Sequence, residues 1–339
     1  MDTFKYCKYL KGNYNVSYIG FDYGHKKIED DVNVFYVKRH SNKAYGMINF
    51  CKEIINEINS NQYDITFLVY FPFCFLMSMF SAINFLDIRT GNISEYKYKV
   101  KVFNFLIFLE SNFFKKITII SDSLRKQLAI NKSKTFILPL GVDFKLYNDK
   151  KYSELKLLYI GTLSSRNIHH TIEGLSQYII NSVDRKVTYD IFGDGSPMAI
   201  LLLKNYIKKF SLEGIVTYHG RKRHDEIGSY FKKCNIGVSY IPITDYFNNQ
   251  PPTKTFEYLG SGMITLATNT FENKKLVNHS NGVLHNDNAS SFFEALSYVK
   301  NNLNFYSYND IIDSVKDNNW RDIVENKLIP IIENKDRHA

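Results

Sequence analysis

Short runs of β-branched and aromatic residues alternate along the chain with stretches whose apolar positions recur every three or four residues. That alternation builds parallel sheets from βαβ units and predicts an α/β fold. In the first half it predicts strands at 15–21, 33–37, 64–70, 83–87, 116–120 and 135–138, with helices between most of them. Pro139, Gly141 and the polar stretch 148–154 interrupt the alternation with turn formers and charges, so they read as a linker. A second alternation predicts strands at 156–160, 187–192, 215–218, 236–240 and 263–267, and a final helix over 320–333. Two doubly wound, Rossmann-like domains are expected: residues 1–147, then 148–317, with 318–339 as a helix that can cross back to the first.

Composition narrows the function classes. With 339 residues, 44% of them apolar, the chain is long enough for two cores, and 23% charged residues exclude a disordered chain. The four cysteines, Cys7, Cys51, Cys74 and Cys234, match neither a zinc pattern nor a small disulfide scaffold and point to a reducing compartment. The net charge is +9, most of it in the first 150 residues. Such a half suits an anionic membrane, a phosphorylated acceptor, nucleic acid or simple solubility. No nucleic-acid module accompanies it, so nucleic acid ranks last. The longest apolar run, 66–80, is shorter than a bilayer span and contains Pro72, and the first twenty residues lack a signal-peptide pattern. A cytoplasmic protein is expected. The segment 96–116 carries lysines at both ends of a dense apolar centre, and two readings stay open: an interfacial helix that holds the protein peripherally at an anionic membrane, or a buried helix with lysines at its ends.

Chemistry gathers in the second half. In QPPTKTFEYLGSG, 250–262, Lys254 and Glu257 stand three apart on one helical face, so a cation can meet a phosphate while the carboxylate accepts hydroxyls. An ordinary surface ion pair has the same spacing. The loop GTLSSRN, 161–167, leaves a strand and enters a helix. There Gly161 allows close approach and Arg166 can clamp an anion. A third such loop is FGDGS, 192–196; its tetrapeptide lacks the full dinucleotide fingerprint of a nicotinamide enzyme. No metal-ligand spacing is present, and neither metal nor cofactor is expected. Asp87 and Arg89 follow a strand in FLDIRTGN and are candidates for acceptor hydroxyls or phosphate, or else an ion pair that fixes their loop. His25, in GFDYGHKK, also follows a strand and is either a catalytic group or an ordinary exposed loop histidine, whereas His169 and His170 follow Arg166 on the helix and fit surface or packing roles.

The set ITIISDSLRKQL with FILPLGVD, LLYIGTLSSRN, YDIFGDGS, CNIGVSYIP and PPTKTFEYLGSGMITLAT resembles the retaining glycosyltransferases of GT-B fold known as group 1 or family 4, over nearly the whole chain. The resemblance implies two Rossmann-like domains facing across a cleft, with the nucleotide sugar in the second and the acceptor in the first. It implies Arg166 and Lys254 on the diphosphate and Glu257 on the ribose as the catalytic set. Gly161, Thr162, Gly193, Asp194, Gly195 and Thr253 complete the donor loops. The partners implied are a nucleoside-diphosphate sugar as donor substrate and a glycan or polyprenyl-linked acceptor, in bacterial surface polysaccharide synthesis.

Two departures qualify it. The family pairs two glutamates eight positions apart, and counting back from Glu257 gives Asn249, so either the backbone and amide groups of Asn249 and Gln250 replace the first glutamate or activity is weakened or lost. The family also opens with a strand and a Gly-rich loop, whereas residues 4–10 already read as the following helix, so the first domain is expected to lack its first strand through truncation at its start. Both departures suit the alternative of a catalytically silent partner or scaffold with the same fold.

Overall fold

The computed structural model describes residues 2–24, 27, 32–80, 83–92, 97–145, 147, 150–182 and 186–333. His25 and two residues of the expected linker, 148 and 149, lie outside them. The chain divides into unit 1, Met1–Gly141 with Trp320–Ala339, and unit 2, Val142–Asn319.

Unit 1 runs α1 (Asp2–Leu10), β1 (Ser17–Asp22), β2 (Asn33–Lys38), α2 (Lys43–Ser60), β3 (Phe67–Val69), α3 (Phe75–Phe80), β4 (Phe85–Ile88), α4 (Lys97–Ser111), β5 (Lys116–Ile119), α5 (Asp122–Gln127) and β6 (Thr135–Ile137). Asn42 starts α2 by accepting the Ala44 and Tyr45 N–H groups, and Ser121 starts α5 through the Leu124 N–H. All strand pairs are parallel, but they form two sheets, β1-β2 and β3-β4-β5-β6. In a doubly wound sheet the strand leading into the first helix sits mid-order. Among the described residues none precedes α1. β4 is buried at all four positions, whereas all six residues of β1 are only half-buried.

Unit 2 runs β7 (Leu155–Ile160), α6 (His169–Asn181), β8 (Val187–Phe192), α7 (Pro197–Lys209), β9 (Val216–Tyr218), α8 (His224–Lys233), β10 (Ile236–Ser239), α9 (Asp245–Asn248), α10 (Thr253–Leu259), β11 (Ile264–Thr268), β12 (Gly282–His285), α11 (Ala289–Asn301) and α12 (Tyr308–Asp313). Its sheet is parallel throughout, in the order β12-β11-β10-β7-β8-β9. Strands covered on both faces need apolar residues at successive positions. In β7, Leu155, Leu157 and Tyr159 pack with Ile172 of α6 and Leu296 of α11. Leu158 and Ile160 face the other way, toward Phe231 of α8 and Tyr258 of α10. β12 lies outside the strands expected from the sequence. It offers only Val283 and Leu284 as an apolar signal, and Gly282 is needed where a Cβ would lie 2.2 Å from the Thr265 carbonyl oxygen.

The C-terminal segment forms α13 (Trp320–Ile323), a π-helical turn (Val324–Leu328) and α14 (Ile329–Ile332). Within unit 1, Trp320, Val324, Leu328 and Ile332 bury against Tyr6 of α1 and Leu138. Trp320 packs against the chain at Gly141, where a Cβ would lie 2.4 Å from the indole ring.

Candidate functional site

Successive strands of unit 2 extend in one direction from β7 to β9 and in the other from β10 to β12, so the order reverses between β7 and β10. Loops leaving neighbouring strands at such a point diverge and open a crevice at the carboxyl edge of the sheet, where open α/β domains bind ligands. The three loops singled out in the sequence all stand at this edge.

The loop after β7 is fixed by the loop after β8. The Gly161 N–H donates to the Phe192 carbonyl at 3.0 Å, the Leu163 N–H to the Asp194 carbonyl at 2.8 Å, and the Ser196 N–H to Ser164 Oγ at 2.7 Å. Tyr159 Oη donates to the Thr162 carbonyl at 2.7 Å, leaving the Thr162 side chain exposed. Gly193 has φ 153°, and a Cβ there would lie 1.8 Å from the Gly161 carbonyl oxygen. Only glycine lets the two loops meet this closely. Asp194 Oδ1 accepts the Gly195 N–H at 2.8 Å, and a Cβ on Gly195 would crowd Leu163 and Ser164 at 3.0–3.1 Å. Gly161, Thr162, Gly193, Asp194 and Gly195 therefore form one interlocked platform.

Arg166 stands beyond that platform with its guanidinium 4.0 Å from the centre of the Phe247 ring in α9. Partial burial pulls its pKa below the ordinary value, opposed by Tyr159 and Tyr246. Among the described residues no carboxylate pairs with it. A partly desolvated cation without an anion is an electrostatic demand that a phosphate satisfies.

Lys254 and Glu257 face each other on α10, with Nζ 2.7 Å from Oε2 and both side chains about a quarter to a third exposed (30% and 26%). A pair this accessible contributes roughly 0.2–1 kcal/mol, so giving it up for an anion at Lys254 and hydroxyl groups at Glu257 costs little. Thr253 opens the helix and is exposed. What seats α10 against β7 is Tyr258, whose hydroxyl accepts the Ile160 N–H at 2.9 Å. Its ring lies over β10, where a Cβ on Gly237 would come within 2.2 Å of it. Asn249 ends α9, and its Nδ2 donates to the Asp245 carbonyl at 3.1 Å.

Phe247 and Tyr258 escaped the sequence reading, since an aromatic in an apolar-rich helix looks like any core residue; the nearby QPP turn was the only local signal. His170 Nδ1 lies 2.8 Å from the Tyr240 hydroxyl, and His169 packs edge-on to Tyr206, so both have packing partners. Asp87 and Arg89 lie in unit 1. Asp87 is fully buried and accepts from Thr118 Oγ1 at 2.7 Å, with Arg89 Nε at 4.0 Å; Arg89 Nη1 donates to the Leu138 carbonyl at 2.9 Å. This is the geometry of an ion pair that fixes a loop. A cavity of about 380 Å³ in unit 2 lies at the opposite, amino edge of β7 and β10, among Lys150, Lys151, Lys156, Lys232 and Lys233. Lys150 there caps α8 through the Phe231 and Cys234 carbonyls. No helix of the described residues is long and apolar enough to cross a membrane.

Residues 154–302 match the family model described as Glycosyl transferases group 1, a span that contains all three loops. Comparison with curated proteins gives no match. Among solved structures, a glycosyltransferase from Rickettsia africae superposes with a TM-score of 0.73 at 14% identity, covering 100% of this chain and 95% of that one. Sucrose-phosphate synthase from Thermosynechococcus elongatus gives 0.74 at 11% identity, over 97% and 91%. Anabaena HepE in complex with UDP-glucose gives 0.66 at 13% identity, over 90% and 85%. The fold is thus the GT-B fold, with two Rossmann-like domains.

Proposed function

We propose that the protein is a glycosyltransferase that moves a sugar from a nucleoside-diphosphate sugar to a glycan or lipid-linked acceptor with retention of configuration, in the synthesis of a bacterial surface polysaccharide. The observation that carries this reading is Arg166, a partly buried guanidinium with no carboxylate beside it among the described residues, at the same sheet edge as Lys254 and Glu257. The family match over this region and the UDP-glucose complex of HepE, a protein of like fold, favour a nucleotide sugar as the ligand.

The chemistry breaks the bond between the anomeric carbon and the diphosphate oxygen and forms one to an acceptor hydroxyl oxygen. Its main demand is stabilisation of the charge that grows on the departing diphosphate. Lys254 and Arg166 answer it as fixed cations, and Glu257, released from Lys254, accepts ribose hydroxyls. The acceptor proton goes to the departing phosphate, which needs no protein nucleophile. Unit 1 binds the acceptor in this account. Asn249, at the place of the family's first paired glutamate, offers an amide to the donor sugar instead of a carboxylate.

The test is release of nucleoside diphosphate from UDP-, GDP- and dTDP-sugars by the purified chain, with the anomeric configuration of any product read by NMR. Turnover lost in Lys254→Ala, in a variant that melts like the wild type, supports the reading. Binding of a nucleoside diphosphate without turnover of any donor favours the silent relative to which Asn249 points.

A further inference from the structure

α4 turns apolar side chains toward solvent as well as toward the core. Ile107 and Glu110 are buried, while Tyr98, Val102, Phe105 and Leu109, spaced by four, three and four residues, form a stripe on the opposite side that Phe113 extends. These five are 43–62% exposed, where a surface helix ordinarily carries polar residues. α3 adjoins them, the Phe75 ring lying 5.1 Å from that of Phe113. It adds exposed Met79 and Phe80, and the turn before it adds exposed Phe73.

Phe73 stands out by a specific device. Its φ is 69°, in the left-handed region that a bulky residue avoids. The buried carboxylate of Glu110 holds that turn by accepting the N–H groups of Phe73 at 2.9 Å and Phe75 at 3.4 Å. A buried charge and a strained residue are thus both used to hold an aromatic ring outward. Along these two segments the charges, Glu110 apart, have one sign. Between residues 97 and 116 the sequence has Lys97, Lys99, Lys101, Lys115 and Lys116 against Glu110, and 66–80 carries no charge at all. Since Glu110 is buried, the outward charge is basic.

We infer that this face of unit 1 docks on an anionic lipid bilayer. The aromatic and aliphatic side chains of α3 and α4 enter the headgroup and acyl boundary, and the lysines lie against lipid phosphates. An apolar stripe with lysines toward both ends is the composition of an interfacial helix, and the basic rim is complementary to an anionic surface. A contiguous apolar patch on this scale marks a contact surface. The inference goes beyond the transferase reading and stands or falls apart from it.

The test is flotation of the full chain with vesicles of phosphatidylcholine alone and of phosphatidylcholine with an equal part of phosphatidylglycerol. The protein should float with the anionic vesicles only, less so as salt is raised. Val102→Ser with Phe105→Ser should lower partitioning about tenfold, and so should Lys99→Glu with Lys101→Glu, a pair whose exposed side chains leave the packing intact. Wild-type protein that fails to float, or variants that float as well as it does, would overturn the inference. So would a dimer of the free protein lost in Phe105→Ser without any lipid dependence, which would make the face a contact between two copies.

Discussion

Gly193 decides whether the platform of the two interlocked loops exists. Alanine there meets the Gly161 carbonyl and adopts a torsion that L residues rarely take, so one loop must move. Gly193→Ala is expected to lose nucleotide binding by tenfold or more, roughly 1.4 kcal/mol, while its circular dichroism stays that of the wild type. Calorimetric titration with the preferred nucleotide checks this. His285 makes a second prediction at this scale. It is buried at the end of β12 against Tyr240 and Phe292, and burial pushes its pKa from 6.5 down to about 4. The unfolded chain therefore takes up the proton first as pH falls. This contribution is fully present above pH 6.5 and is lost progressively toward pH 4, roughly 3 kcal/mol in all. Urea midpoints should fall more steeply over that range in the wild type than in His285→Phe. The sequence placed Lys254 and Glu257 on one helical face, and Arg166 and the three glycines in turns after strands, because turn chemistry and helical spacing are local, and the structure puts those segments at one sheet edge. It did not show that Asp87 is buried, because a charge after a strand looks the same whether it faces water or Thr118.

At the scale of elements, α10 is held in place by packing rather than by its own seven residues. The Tyr258 hydroxyl satisfies the Ile160 N–H, and Gly237 leaves room for its ring. Tyr258→Phe leaves that buried N–H unmet and should cost roughly 1–3 kcal/mol in urea denaturation, with weaker nucleotide binding as Lys254 and Glu257 lose their seat. Unchanged stability and affinity would remove Tyr258 from the account. The eleven strands read from hydrophobic patterning all form, within about three residues; those covered on both faces, such as β10 and β11, leave near-continuous apolar runs, and β2 alternates exposed and covered positions. β12 and the π-helical turn did not show in the pattern. The first has only two strongly apolar residues and a histidine buried by tertiary contacts, and the second keeps its apolar spacing while its hydrogen bonds shift by one residue.

At the scale of the molecule, the two units differ in how their sheets are built. The six strands of unit 2 form one sheet with helices over both faces, a rigid frame for a site that must hold charges still. Unit 1 has two separate sheets and a half-buried β1. Hydrogen exchange should therefore find the amides of Ser17–Asp22 exchanging faster than those of Phe85–Ile88, which are buried and paired on both sides. Equal protection would contradict this picture. The most direct test of the central claim, that unit 2 binds a nucleoside diphosphate through Arg166 and Lys254, is a thermal-shift titration of the full chain with UDP, GDP, dTDP, CMP and NAD. One of the diphosphates should raise the melting temperature with concentration, by an amount equivalent to about 2.7 kcal/mol at a hundred times its Kd, and Arg166→Ala and Lys254→Ala should each abolish the rise. A folded protein that none of the diphosphates shifts, or a shift that survives both substitutions, would contradict it.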